Sequence, residues 1–126
     1  MLSPSGGDRG FESFSLQQRV LLVDDDEDIL ELVAEILETL GYEVVSARTG
    51  LEALAILRDN SRISILFTDI QMPGMGGEEL AGIAVASWPD LRVIFASGST
   101  RPSADAAFLQ KPYKPVDLVR VLSPLR

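Results

Sequence analysis

Apolar residues gather in five short runs separated by longer amphipathic stretches: Val20-Leu21-Leu22-Val23, Glu43-Val44-Val45, Ile63-Ser64-Ile65-Leu66-Phe67, Val93-Ile94-Phe95-Ala96 and Ala107-Phe108-Leu109. Most of these runs are continuous rather than alternating, the pattern of strands covered on both faces in a parallel sheet. The stretches between them follow a helical period. From Asp28 to Leu40, the residues Ile29, Leu32, Val33, Ile36, Leu37 and Leu40 recur at three- and four-residue spacing, and Gly41 stands where the helix would stop. Thr49-Gly50 opens a second helix carrying Leu51, Leu54, Ala55 and Leu57 and ending near Asp59-Asn60. Glu78 to Ser87 makes a third, with Leu80, Ile83, Ala84 and Trp88 on one side and Pro89 as its stop, and Val116 to Leu122 a short last one. Strands alternating with helices in this order predict βαβ units wound into an open, doubly wound, five-stranded parallel α/β sheet. Residues 1–17 carry neither period and are rich in Ser and Gly, so they read as a flexible leader or linker, on which Phe11, Phe14 and Leu16 are docking candidates, before one domain over residues 18–126.

Composition narrows the chemistry. The chain has no cysteine and no histidine, which removes disulfides, Cys/His zinc sites, thiol nucleophiles and any Ser-His-Asp triad. Reaction chemistry is left to carboxylates, lysines and hydroxyls. Nineteen acidic residues against eleven basic ones give a net charge of −8, which opposes the dense basic patch that nucleic acid demands. No apolar run approaches the roughly 18 residues of a spanning helix, and Asp8, Arg9 and Glu12 stand where a signal peptide would be apolar. A cytoplasmic protein without a membrane or direct nucleic-acid partner is expected.

In doubly wound sheets ligands bind beyond the carboxyl ends of the strands. The residues at those ends are Asp24-Asp25-Asp26 after the first strand, Asp69 after the third, Ser97 after the fourth and Lys111 after the fifth. Each alone has an ordinary explanation: the three aspartates as a helix cap, Asp69 as a turn residue before Pro73-Gly74, Ser97 as a turn hydroxyl, Lys111 as a solvated charge. Their joint placement points further. Carboxylates crowded at one edge repel unless a cation neutralises them, and a few oxygen ligands beside a hydroxyl and an ammonium suit Mg²⁺ better than a Ca²⁺ cage.

These motifs resemble the receiver domains of two-component response regulators, in the manner of the chemotaxis regulators, over nearly everything after residue 18. The resemblance rests on VLLVDDDEDI, ARTGLEAL, FTDIQMPGMGG, VIFAS and AFLQKPY, in the right order and at compatible spacing. It implies a flavodoxin-like receiver fold in which Asp69 is the phosphorylated aspartate. It implies that Asp24, Asp25 and Asp69 hold Mg²⁺ with the backbone carbonyl of Gln71, that Ser97 contacts the phosphoryl group and that Lys111 pairs with it. A cis Lys111-Pro112 bond and a switch coupling Ser97 to Phe108 belong to the same resemblance, with Tyr113 a further aromatic at that edge for partner contacts. The implied phosphodonor is a histidine kinase or phosphotransfer domain, or a small acyl phosphate. Since the chain lacks histidine, the donor histidine has to lie on another molecule or domain.

The sequence departs from the family between Ser97 and Lys111. With the last strand occupying Ala106 to Gln110, only Gly98 to Asp105 remain, and these hold Pro102 and three hydroxyl residues. A crossover helix of about ten residues does not fit, so the family's fourth helix is expected to be shortened or absent. Signalling through another surface, and a homodimer or docked kinase covering apolar area near Trp88, would follow. Two other functions stay open: a Mg²⁺-dependent aspartyl phosphatase using Asp24 and Asp26 as a D-x-D pair, and a receiver-like module that is never phosphorylated. A freestanding regulator and a receiver belonging to a hybrid kinase are both compatible with the sequence.

Overall fold

The computed structural model describes residues 18–59, 62–98 and 107–122. The expectations for the leader at 1–17 and for the connection between the last two strands at 99–106 fall outside those residues. The elements, in chain order, are β1 (Arg19–Val23), α1 (Glu27–Thr39), β2 (Glu43–Ala47), α2 (Gly50–Asp59), β3 (Ile63–Asp69), α3 (Gly77–Ser87), β4 (Arg92–Ser97), β5 (Ala107–Gln110) and α4 (Pro115–Leu122). All five predicted strands form, each within two residues of the expected bounds. They pair in parallel in the order β2-β1-β3-β4-β5.

Burial on both faces explains the continuous apolar runs. One cluster, with Leu21, Val23, Leu66 and Phe95 of the sheet against Leu54, Leu57, Leu80 and Ala84, is covered by α2 and α3. The other sets Val20, Leu22, Ile65, Phe67 and Ile94 against Leu30, Val33, Leu37 and Leu118 of α1 and α4. Successive strand residues point to opposite faces, so a strand with both faces covered takes apolar side chains at most positions before its tip.

The helix faces are rotated from the sequence expectation. In α1 the buried residues are Leu30, Val33 and Leu37, at i, i+3 and i+7, while Leu32 and Leu40 are exposed. Leu51 and Ala55 of α2 and Ile83 of α3 also face outward, and Ala53, Leu54, Leu57, Leu80, Ala81 and Ala84 carry the burial. Small residues sit where helix meets sheet most closely, which a search for large apolar residues overlooks. Trp88 closes α3 and packs half-buried against the α2–α3 cluster. Gly41, at φ 101°, supplies the left-handed residue that stops α1. At the far end of α4, the guanidinium of Arg92 on β4 donates to the carbonyls of Val121 and Leu122, tying the last helix to the sheet.

Candidate functional site

The sheet grows in one direction from β1 to β2 and in the other from β1 to β3, so the crevice of the fold opens at the carboxyl ends of β1 and β3. Asp24 follows β1 there and Asp69 ends β3. The Asp24 N–H donates to the Ala47 carbonyl at 3.2 Å, carrying the β1–β2 ladder one residue further and drawing this aspartate inside, where it is 4% exposed. One carboxylate oxygen accepts the Asp26 N–H at 2.9 Å, and the other accepts from Lys111 Nζ at 2.8 Å. The same ammonium lies 3.6 Å from Asp69 Oδ2. Asp25, exposed, adds a third carboxylate, and the three offer oxygens within 4.8 Å of one another.

The three consecutive aspartates therefore divide. Asp24 and Asp25 join Asp69, whereas Asp26 is the N-cap of α1, accepting from the N–H groups of Asp28 at 3.0 Å and Ile29 at 3.4 Å. The cap reading holds for Asp26 alone, Asp24 and Asp25 stand with Asp69, and the D-x-D pair of the phosphatase alternative loses its second member to the cap.

Burial raises the Asp69 carboxyl above the ordinary value; Lys111 draws it down, the Asp24 charge raises it again, and a backbone hydrogen bond from Gln71 lowers it without reversing the balance. Burial opposes the charge of Lys111, but its hydrogen bond to Asp24 and the charges of Asp24 and Asp69 outweigh that and leave the ammonium raised. Among the described residues the cluster holds three carboxylates, and the Lys111 ammonium reaches two of them. That surplus of negative oxygen is the donor set and charge balance that a hard divalent cation fits.

The other predicted residues converge on the same rim. Asp69 is registered with Ala96 on β4, and Ser97, fully buried, is the next residue. The Lys111 N–H donates to the Ser97 carbonyl at 2.8 Å, so the ends of β4 and β5 are tied together. Phe95 is registered with Phe108, and Ser97 with Gln110. Ser97 shares the face of Phe95 by strand alternation, and half-buried Phe108 packs on that cluster, which makes Ser97 and Phe108 diagonal neighbours. Lys111-Pro112 is cis. Tyr113 is half-buried with its ring centroid 6.0 Å from that of Phe67; burial, then the Asp24 and Asp69 charges, push its phenol up. Beside it, Ile29, Leu32, Val33, Lys111 and Pro112 complete a cleft of about 400 Å³.

Sequence reasoning passed over the residues that hold Asp69 in place. Thr68, fully buried, donates from Oγ1 to the Asp69 carbonyl at 2.9 Å. A Cβ at Gly77 would lie 2.1 Å from that same oxygen, and the Gly77 N–H closes the loop on the Ile70 carbonyl at 2.8 Å. Met75 rests on Gly50 at the start of α2, and Gly74 turns at φ 75°. The adjacent glycines 76 and 77 were the available signal, since paired glycines before a helix mark close backbone approach.

The family model of the response regulator receiver domain matches residues 20–123. The chain belongs to that family. This receiver domain is 37% identical over 110 residues to the response regulator receiver protein CpdR of Brucella abortus, spanning 81% of this chain and 91% of that protein. It is 34% identical over 103 residues to the sensor kinase CckA of the same organism, covering 75% of this chain and 11% of the kinase. Among solved structures it resembles the chemotaxis protein CheY4 of Vibrio cholerae, with a TM-score of 0.80, 28% identity, and coverage of 87% of this chain and 99% of that one. The fold is thus the flavodoxin-like receiver fold, and the chain is a receiver of two-component signalling. Among the described residues no helix is long and apolar enough to cross a membrane.

Proposed function

We propose that this receiver accepts a phosphoryl group on Asp69 from the phosphohistidine of a kinase or phosphotransfer partner, in the cytoplasm, and changes conformation in response. The observation that carries the reading is the convergence of Asp24, Asp25 and Asp69 within 4.8 Å, with Lys111 Nζ reaching two of them. In the transfer an Asp69 carboxylate oxygen bonds to phosphorus as the donor's P–N bond breaks; the imidazole nitrogen leaves with the electron pair, and a mixed anhydride forms. Such transfers pass through a loose transition state, and the protein's contribution is position and positive charge. Asp24, Asp25 and Asp69 with the Gln71 carbonyl would hold Mg²⁺, which when bound would supply positive charge to the transfer. Lys111 gives up its contact with Asp24 to pair with the incoming phosphoryl group, and the apolar cleft at Ile29, Leu32 and Tyr113 seats the donor beside it.

The diagonal placement of Ser97 and Phe108 supports a switch that couples them. The Ser97 hydroxyl turns to the phosphoryl oxygens, and the space it leaves admits the Phe108 ring. The new charge of about −1.5 to −2 is felt where the two side chains meet. Sedimentation of the protein with and without phosphorylation distinguishes a homodimer from a monomer.

Incubation with Mg²⁺ and acetyl phosphate tests the assignment. One acid-labile adduct is expected, lost in Asp69→Asn. Label on Asp24 instead would establish the phosphatase, and no label would leave a receiver-like module without phosphorylation.

A further inference from the structure

We propose that Thr68 is the positioning residue for the phosphoacceptor, acting through the backbone of Asp69 rather than on the phosphoryl group; this rests on Asp69 being the acceptor. Asp69 is registered with Ala96 on β4 but lies one position past the last β1–β3 pair, Val23 with Thr68. At that point the ladder gives out on one side of the strand, and a side chain carries on its work. The Thr68 hydroxyl donates to the Asp69 carbonyl at 2.9 Å, and α3 begins against the same oxygen, where Gly77 leaves no room for a Cβ. Fixing this carbonyl fixes the peptide plane between Asp69 and Ile70, and so restrains the short backbone path that brings the Gln71 N–H back to the carboxylate.

Thr68 is suited to this. It is fully buried, so water does not compete for the hydroxyl, and its β-branched side chain has restricted χ1 freedom. The hydroxyl has apolar neighbours along and across the strands, with Leu66 two residues before it and Val23 and Phe95 registered on either side. A valine of the same shape would pack at least as well, so hydrophobic burial alone does not account for it.

Two pairs of variants isolate the hydroxyl: Thr68→Val against wild type at equal size, and Thr68→Ala against Thr68→Ser at reduced size. At saturating Mg²⁺ and acetyl phosphate, Val and Ala are expected to phosphorylate about tenfold more slowly, and Ser to stay within about twofold of wild type. In metal-free protein the amide resonance of Gln71 should shift in Val and Ala and return in Ser. If Val matches wild type in rate and resonance, or if Ser is as slow as Ala, Thr68 is a packing residue and the proposal is overturned. Should Val fail to fold, the Ser and Ala pair decides alone. An adduct that persists in Asp69→Asn would instead overturn the acceptor assignment, so the two failures are told apart.

Discussion

The two loops that meet at the acidic rim are held by opposite means. After β1, side chains do the holding: the Asp24 carboxylate accepts the Asp26 N–H, and the Asp26 carboxylate caps α1. After β3, the absence of side chains does it: Gly77 lets α3 abut the Asp69 carbonyl, Gly74 makes the turn and Gly50 receives Met75. A loop ordered by carboxylates uses up part of its acidity in its own shape, and Asp26 is lost to the site in that way. A loop ordered by glycines and one buried hydroxyl leaves the Asp69 carboxylate turned toward Lys111.

If that contrast is right, the glycine-held loop is the more brittle. Gly77→Ala places a methyl against a backbone oxygen that has nowhere to go, and a loss of about 3 kcal/mol or more is expected in urea unfolding. Gly50→Ala is a milder change, because the atoms it meets belong to the flexible Met75 side chain. Equal losses for the two would show that backbone proximity is not what orders the loop.

Next in size is Lys111, the cation that bridges the two loops. Lys111→Met leaves Asp24, 4% exposed, and Asp69 without their ammonium partner, at an expected cost of about 2 kcal/mol in metal-free buffer. Millimolar Mg²⁺ should narrow that deficit by binding the native state. A deficit that Mg²⁺ leaves untouched would detach the carboxylate cluster from metal binding.

On the β1 side, Asp26→Ala should cost about 1 kcal/mol through the lost cap while Mg²⁺ uptake, followed by calorimetry, stays as in wild type. Weakened uptake would return Asp26 to the site and undo the division of the aspartates.

The same contrast explains what the sequence made legible. The strands, the order of elements and the groups at the strand tips were readable because both-face burial forces continuous apolar runs and expels polarity to their ends. Asp24, Asp25, Asp69, Ser97 and Lys111 all lie at such ends. The helix faces were less legible: α1 has apolar residues on more than its buried stripe, so Leu32 was counted inward and Leu30 overlooked. The roles of Thr68 and Gly77 were invisible because they depend on where a single carbonyl oxygen lies, which no periodicity records. Whether Asp26 caps or ligates was undecidable in the same way, since one residue type serves both.

The smallest effect sharpens the comparison most, because it asks what the buried acceptor costs the fold. The Asp69 carboxyl is raised above 3.8, chiefly by burial, so the native state holds its proton more tightly than the unfolded chain does. Stability tied to that proton is present below the ordinary carboxyl value and is lost as pH rises through it to the raised native value. Asp69→Asn, which carries no charge at any pH, should therefore match wild type near pH ~3 and become the more stable protein as pH rises, by up to about 1 kcal/mol in metal-free buffer. Mg²⁺ should reverse the order, since only wild type keeps all three carboxylates. A difference that is flat with pH would mean that Lys111 and the Gln71 backbone already compensate the buried charge, and that the rim has no electrostatic strain for a cation to relieve.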